Sequence, residues 1–198
     1  MRQANAQLQS DRRAEILEAA RVCFARSGFH QTSMQEICAE AGMSPGNLYR
    51  YFRSKEAIIA GIAERDRAEV GQHFAHAELA PNLFAALEPM MQHHFVERTQ
   101  VDVALCAELV TESRRNPEIA RIYQSFDADV RARLIGMLKK AAERGEIARD
   151  VDFEAAVSLL MTIAEGVWSQ RASNPQFDPR PLVPLTMGVI RHVLRASG

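Results

Sequence analysis

The chain has 198 residues, with 24 Lys and Arg against 25 Asp and Glu and a formal net charge of −1. That near balance argues against a dedicated nucleic-acid coat, while the length allows one sizeable core or two small domains. No N-terminal apolar segment resembles a signal peptide, and no apolar run approaches ~18 residues. Both observations speak against secretion or membrane spanning and for a cytoplasmic protein. Cys23, Cys38 and Cys106 have no metal-ligand spacing and read as reduced, buried small hydrophobes.

Residues 1–9 are polar and read as a flexible arm. Helix 1 is expected from about Ser10, a plausible cap, to Ser27, with Ile16, Ala19, Ala20, Cys23 and Phe24 on one face and Gly28 closing it. Ser33 and Glu36 then form an S-x-x-E capping box, which starts a second helix at Met34. Met34, Ile37, Cys38 and Ala41 make its apolar stripe, and Gly42 supplies the left-handed position that commonly ends a helix. Ser44 caps a third helix with Pro45 at its first position, where a missing N–H costs nothing.

At about 100° per residue, Leu48 and Phe52 of that helix point inward together. Gly46 and Arg50 point the opposite way, flanked by Asn47 and Tyr49. An outward glycine lets a helix backbone approach a surface closely. Arg50 carries a planar fork of donors suited to guanine O6 and N7 or to a phosphate, and Asn47 could read adenine. Tyr49, Tyr51 and Lys55 offer donors at the margin, where contacts position without reading sequence. The segment is therefore a helix-turn-helix DNA reader, with Arg2 and either Arg12 or Arg13 near the DNA. The mild positive bias agrees: residues 1–60 hold eight Lys and Arg against six Asp and Glu.

From Arg12 to Ile59, with G-F-H-Q-T-S before the first motif helix and G-M-S-P-G-N-L-Y-R-Y-F-R-S-K-E across the turn, the chain resembles the DNA-binding domain of the TetR/AcrR family of bacterial regulators. The resemblance implies an all-helical homodimer with a three-helix DNA-binding domain and a larger domain that binds a small molecule and dimerises. By position it implies DNA contacts from Thr32 or Ser33, Gly46, Tyr49, Tyr51 and Lys55. Pro45 and Arg50 stand where the family often has other residues, so the bases read are left open. With Ser44, Pro45, Asn47 and Arg50 these make the candidate DNA-binding set. The expected fold is all-α with about nine helices, divided into a helix-turn-helix domain at 1–53, a connecting helix at 54–78 and a ligand-binding and dimerisation domain at 79–198.

Beyond helix 4, which runs from Ser54 toward His76, the signals are less distinctive. Helix 5 is expected from Asn82 to Glu97, and Pro89 should kink or split it. Helix 6, Val101 to Arg115, is apolar on two faces and should be buried centrally. Asn116-Pro117-Glu118 opens helix 7, which ends at Gly145, and Asp152 caps helix 8. Helix 9 begins around Asp178 to Pro181 and runs to Arg195. Soft and aromatic residues on helices 5 to 8 read mostly as core packing, and it is the family resemblance that implies a small-molecule site among them: Met91, His94 and Phe95; Glu108 and Leu109; Tyr123 and Phe126; Met161, Glu165 and Trp168. Glu108 is either a pocket carboxylate or the partner of an arginine such as Arg121. Helix 9 is apolar most of the way round, so Leu185, Gly188, Val189, His192 and Val193 are expected at a dimer interface.

His73 and His76, spaced i, i+3, and the adjacent His93 and His94 read as solvated or core histidines, because no Cys or Asp cluster accompanies them. No catalytic motif, cofactor or metal is expected. The function expected is a sequence-specific regulator, a repressor released from double-stranded operator DNA by a small apolar or amphipathic effector. The alternatives are a constitutive or architectural DNA binder and an all-helical enzyme.

Overall fold

The computed structural model describes residues 2–196, with side chains from residue 7 onward. Nine α-helices and one π-helical segment account for the regular structure among them. The helices are α1 (Arg2–Gln31), α2 (Met34–Glu40), α3 (Pro45–Tyr51), α4 (Lys55–Ala77), α5 (Leu83–Gln92), α6 (Gln100–Ser113), α7 (Pro117–Glu143), α8 (Phe153–Ser173) and α9 (Leu182–Val193). The π-helical segment, His93–Glu97, follows directly on α5. Among the described residues no helix is long and apolar enough to cross a membrane.

The chain forms two compact units that are not contiguous stretches of sequence. The first comprises Met1–Asp66 and Ala104–Gln124, the second Arg67–Val103 and Ser125–Gly198. Helices α4, α6 and α7 each contribute residues to both.

In the first unit, Ile16, Leu17, Ala20, Cys23 and Phe24 of α1 pack with Ile37 and Cys38 of α2, Leu48 and Phe52 around α3, and Ile58, Ile59 and Ile62 of α4. Each large apolar side chain so buried contributes about 1.5–3 kcal/mol relative to exposure, which is what holds two seven-residue helices too short to persist alone. Leu105 and Ile119 join this core. Helix α1 starts well before Ser10, so the arm expected at residues 1–9 is helical from Arg2. Ala, Gln and Leu dominate that stretch and are good helix formers. The side chain of Arg2 lies outside the described residues.

Local signals set the remaining boundaries of this unit. Ser33 Oγ accepts from Glu36 N at 3.1 Å while Glu36 Oε2 accepts from Ser33 N at 2.6 Å, a complete capping box. Gly42, at φ 62°, ends α2 in a Schellman motif, with Met43 N donating to Cys38 O and Gly42 N to Ala39 O.

In the second unit, α5, α7, α8 and α9 share a core that includes Phe84, Leu87, Phe95, Leu138, Val157 and Ile190. The break expected at Pro89 falls further on. Helix α5 continues through Gln92, then widens by one residue, so that Arg98 N donates to His93 O at 3.1 Å.

Candidate nucleic-acid interface and effector wall

The recognition surface is built by anchoring α3 from behind. Leu48 is fully buried, and Phe52, at the helix end, nearly so. Tyr51 packs half-buried on the same core. The opposite face carries Ser44, Pro45, Gly46 and Arg50, all exposed, with Tyr49 49% exposed and Asn47 half-buried beside them. A Cβ built on Gly46 would meet nothing within 4 Å. The space in front of this glycine is thus open in the free chain, as a close approach to another surface requires. Ser44 stands at the cap position, but its hydroxyl makes no capping bond.

Two residues assigned to this surface are turned elsewhere. Thr32 is 1% exposed, and its hydroxyl donates to Gly28 O at 2.7 Å and Cys23 O at 3.1 Å. Its side chain braces the end of α1 and presents nothing outward, so Ser33 is the exposed member of the pair. Lys55 extends not outward but under the preceding segment. Its ammonium donates to Phe29 O, to Thr32 O at 2.8 Å and to His30 O at 3.5 Å, and sits 4.4 Å from the centre of the Phe29 ring.

That segment follows a break in α1. Gly28 adopts φ 77°, ψ 165°, a region essentially restricted to glycine, and a Cβ there would lie 3.0 Å from Glu108 Oε1. The break frees the N–H of Phe29, which donates to Glu108 Oε1 at 2.7 Å. One turn further along α6, Glu112 Oε2 lies 2.8 Å from His30 Nε2, with Glu112 nearly fully buried. Glu108 thus accepts from a backbone amide and is not the partner of Arg121, whose Nε donates to Pro117 O. It holds the backbone just before the capping box of α2. Sequence reasoning missed this because a separation of 79 positions between Glu108 and Phe29 erases any local signal.

The remaining expected ligand residues fall in both units. Leu109 packs on the first unit's core, and Tyr123 is half-buried in that unit. In the second unit Met91 and Phe95 are buried in the core, Met161 is partly buried against it, Phe126 is half-buried and Glu165 lies exposed on α8. His94 and Trp168 stack, with centroids 4.5 Å apart and planes 18° from parallel. Burial pushes the His94 imidazole down to about 4, helped by the charges of Arg98, His93 and Arg171, so it is a neutral flat surface at neutral pH.

This aromatic pair belongs to a larger arrangement that satisfies the π-helical turn. Widening a helix leaves carbonyls without their usual partners. The Trp168 indole N–H donates to His94 O at 2.9 Å, and Arg171 donates to Phe95 O at 3.0 Å and Arg98 O at 2.7 Å. Both donors come from α8. Burial raises the thiols of Cys23 and Cys38, which leaves them protonated and unreactive.

On α9, Leu185 is 63% and Val189 45% exposed, and a Cβ on Gly188 would meet nothing within 4 Å. His192 is exposed beside them and Val193 half-buried.

A capped two-helix turn with an outward glycine, arginine and tyrosine, carried in an all-α chain, defines a helix-turn-helix DNA-binding regulator. A family model described as bacterial regulatory proteins, tetR family, matches residues 16–62, and one described as BetI-type transcriptional repressor, C-terminal, matches residues 83–195. The chain belongs to the TetR family of bacterial transcriptional regulators. It is similar to the HTH-type transcriptional regulator UidR of Escherichia coli K12, at 30% identity over 166 residues, 78% of this chain and 79% of that protein. The HTH-type transcriptional repressor AcnR of Corynebacterium glutamicum is 24% identical over 180 residues, 90% and 92% of the two chains. Among solved structures, Salmonella enterica GusR matches with a TM-score of 0.81 and 33% identity, covering 94% of this chain and 96% of its own. FadR of Bacillus subtilis, solved in complex with stearoyl-CoA, shares the fold at 20% identity and a TM-score of 0.78, covering 93% and 99%.

Proposed function

We propose that the protein is a homodimeric repressor whose operator binding is relieved by a small apolar or amphipathic effector. The observation that carries the DNA-binding half of this reading is the open face of α3, with Gly46 unobstructed and Arg50 and Tyr49 exposed over an anchored back. Arg50, Asn47 and Tyr49 are the base-edge candidates, and Ser33 and Ser44 are phosphate candidates. The exposed apolar face of α9 supports pairing with a second copy, which would present two recognition helices to successive major grooves ~34 Å apart.

For the effector we propose the wall formed by His94, Met161 and Trp168. A ligand there would act on the π-helical segment, which leads through Arg98 and Thr99 directly into α6. Glu108 and Glu112 of that helix hold the backbone at residues 29 and 30, immediately before α2. The effector must bind the DNA-incompetent arrangement more tightly than the competent one, since equal affinity shifts nothing.

Gly46→Val tests the DNA-binding half. It should abolish binding to the protein's own promoter region, measured by fluorescence anisotropy, with a melting temperature within a degree or two of wild type. Retained affinity would move the interface off α3. Val189→Glu should give monomers by sedimentation that bind DNA far more weakly, and a dimer unchanged by that substitution would place the interface elsewhere.

A further inference from the structure

Glu69 and His73 lie one turn apart on α4 and face the same side. The π-helical segment brings His93 against them, its ring edge-on to that of His73 with centroids 4.3 Å apart and planes at 76°. One ligand atom from each of Glu69, His73 and His93 lies within 4.8 Å of the other two. His93 Nδ1 is 3.3 Å from Glu97 Oε2, a contact that favours a proton on Nδ1 and leaves Nε2 as a lone-pair donor. That Nε2 is buried and has no hydrogen-bond partner. Glu69 Oε1 is 3.6 Å from it, beyond hydrogen-bond reach, and already accepts from Arg98 Nη1 at 2.8 Å. A buried acceptor without a partner calls for an explanation, and here two other ligating groups converge on it.

The surrounding charge favours a cation. Two carboxylates, Glu69 and Glu97, lie against the His93 ring, and Arg98 Nη1 donates to the first of them. A divalent ion held by the two imidazoles would lie beside both carboxylates. Two imidazole nitrogens and one carboxylate oxygen suit a borderline transition metal and not Mg²⁺ or Ca²⁺, which prefer oxygen. Zinc bonds of about 2.0–2.2 Å in a tetrahedron place ligand atoms roughly 3.3–3.6 Å apart. Binding would draw the three side chains together from the observed spacing, and Glu69 has a second oxygen besides the one that accepts from Arg98.

We infer that Glu69, His73 and His93 bind a divalent transition-metal cation, Zn²⁺ being the best match, with Glu97 as a positioning residue that orients His93. The fourth position is open to water or to another oxygen ligand. The cation clamps α4 to the π-helical segment, whose carbonyls α8 secures through Trp168 and Arg171. Sequence reading could not assemble this site, because 20 residues separate His73 from His93, and each histidine pair met along the chain is split in space.

The test uses full-length protein without a polyhistidine tag, treated with chelator and dialysed, with Zn²⁺ partitioned between it and a chromogenic chelator. One equivalent per chain should bind with micromolar or tighter affinity. Co²⁺ should give the visible absorption of a four-coordinate site without a thiolate charge-transfer band. His73→Ala and His93→Ala should each weaken Zn²⁺ at least about tenfold, and Glu97→Gln about tenfold with the Co²⁺ spectrum retained. His76→Ala, one turn on and exposed, should bind like wild type. Circular dichroism establishes that each variant is folded. A wild-type protein that takes up no tight equivalent overturns the inference whatever the variants do. So does undiminished binding in a folded His73→Ala, His93→Ala double variant, or a Co²⁺ spectrum dominated by thiolate.

Discussion

Each compact unit contains a broken helix, and the two breaks are repaired in different ways. In the first unit Gly28 interrupts α1, and the exposed backbone groups are taken up by ionic side chains from two elements, Lys55 of α4 for the carbonyls and Glu108 of α6 for the amide. In the second unit the π-helical segment after α5 is repaired from one element, by the indole and the guanidinium of α8. The first break is a fixed conformation that only glycine adopts readily. The second is a register change in an otherwise helical backbone, and its repair depends on donors that a sliding helix could move together. Under the proposed function the first repair would serve a rigid reader and the second a deformable sensor.

The sharpest way to break that comparison is at Gly28. Gly28→Ala forces a Cβ into a positive-φ region with the Glu108 carboxylate 3.0 Å away. Backbone strain of about 1–3 kcal/mol adds to the displaced hydrogen bond, so a loss near 3 kcal/mol is expected in chemical denaturation. A loss below about 1 kcal/mol would mean that the break is not rigid. Arg171→Ala should come next, at about 2–3 kcal/mol, because it leaves two carbonyls of the π-helical turn without their charged donor. Hydrogen exchange should then rise across residues 93–98 more than across residues 28–33, and a uniform rise would erase the distinction between the two repairs.

Lys55 tests whether its ammonium serves the fold or the DNA. With its donors on Phe29, His30 and Thr32, Lys55→Met should cost about 1.5–2 kcal/mol in the first unit. The salt dependence of operator binding should stay unchanged. A shallower dependence by about one unit with normal stability would restore Lys55 to a phosphate contact.

Which features could be read from sequence follows from the distance over which each is determined. The capping box at Ser33, the glycine after α2, the proline opening α3 and the Asn116 and Asp152 caps act within four residues, and all stand where their local chemistry requires. The anchored and open faces of α3 also followed from helical periodicity. The roles of Thr32, Lys55 and Glu108 did not, because each bonds a backbone group whose need arises only once α1 has broken at Gly28. Pro89 announced a disturbance but not its position. Its missing N–H is absorbed within α5, and the backbone widens only after Gln92.

The smallest effect concerns Trp168, which makes two contacts that one substitution can separate. Its ring stacks on His94 at 4.5 Å, while its N–H donates to His94 O at 2.9 Å. Trp168→Phe keeps an aromatic face and removes the donor. If the hydrogen bond matters chiefly as repair of the π-helical turn, the loss should be about 1 kcal/mol, the net value of a neutral hydrogen bond. Exchange should then increase within residues 93–98 alone. If stacking dominates, Trp168→Phe should be nearly neutral, and Trp168→Leu should be the damaging change by comparison. Circular dichroism must follow both unfolding curves, since Trp168 is the sole tryptophan and its own fluorescence is lost. A cost above about 3 kcal/mol for Trp168→Phe would show that α8 holds the π-helical turn as tightly as Glu108 and Lys55 hold the break in α1. The second unit would then contain no softer repair for an effector to shift, and the proposed route from the π-helical segment into α6 would fail.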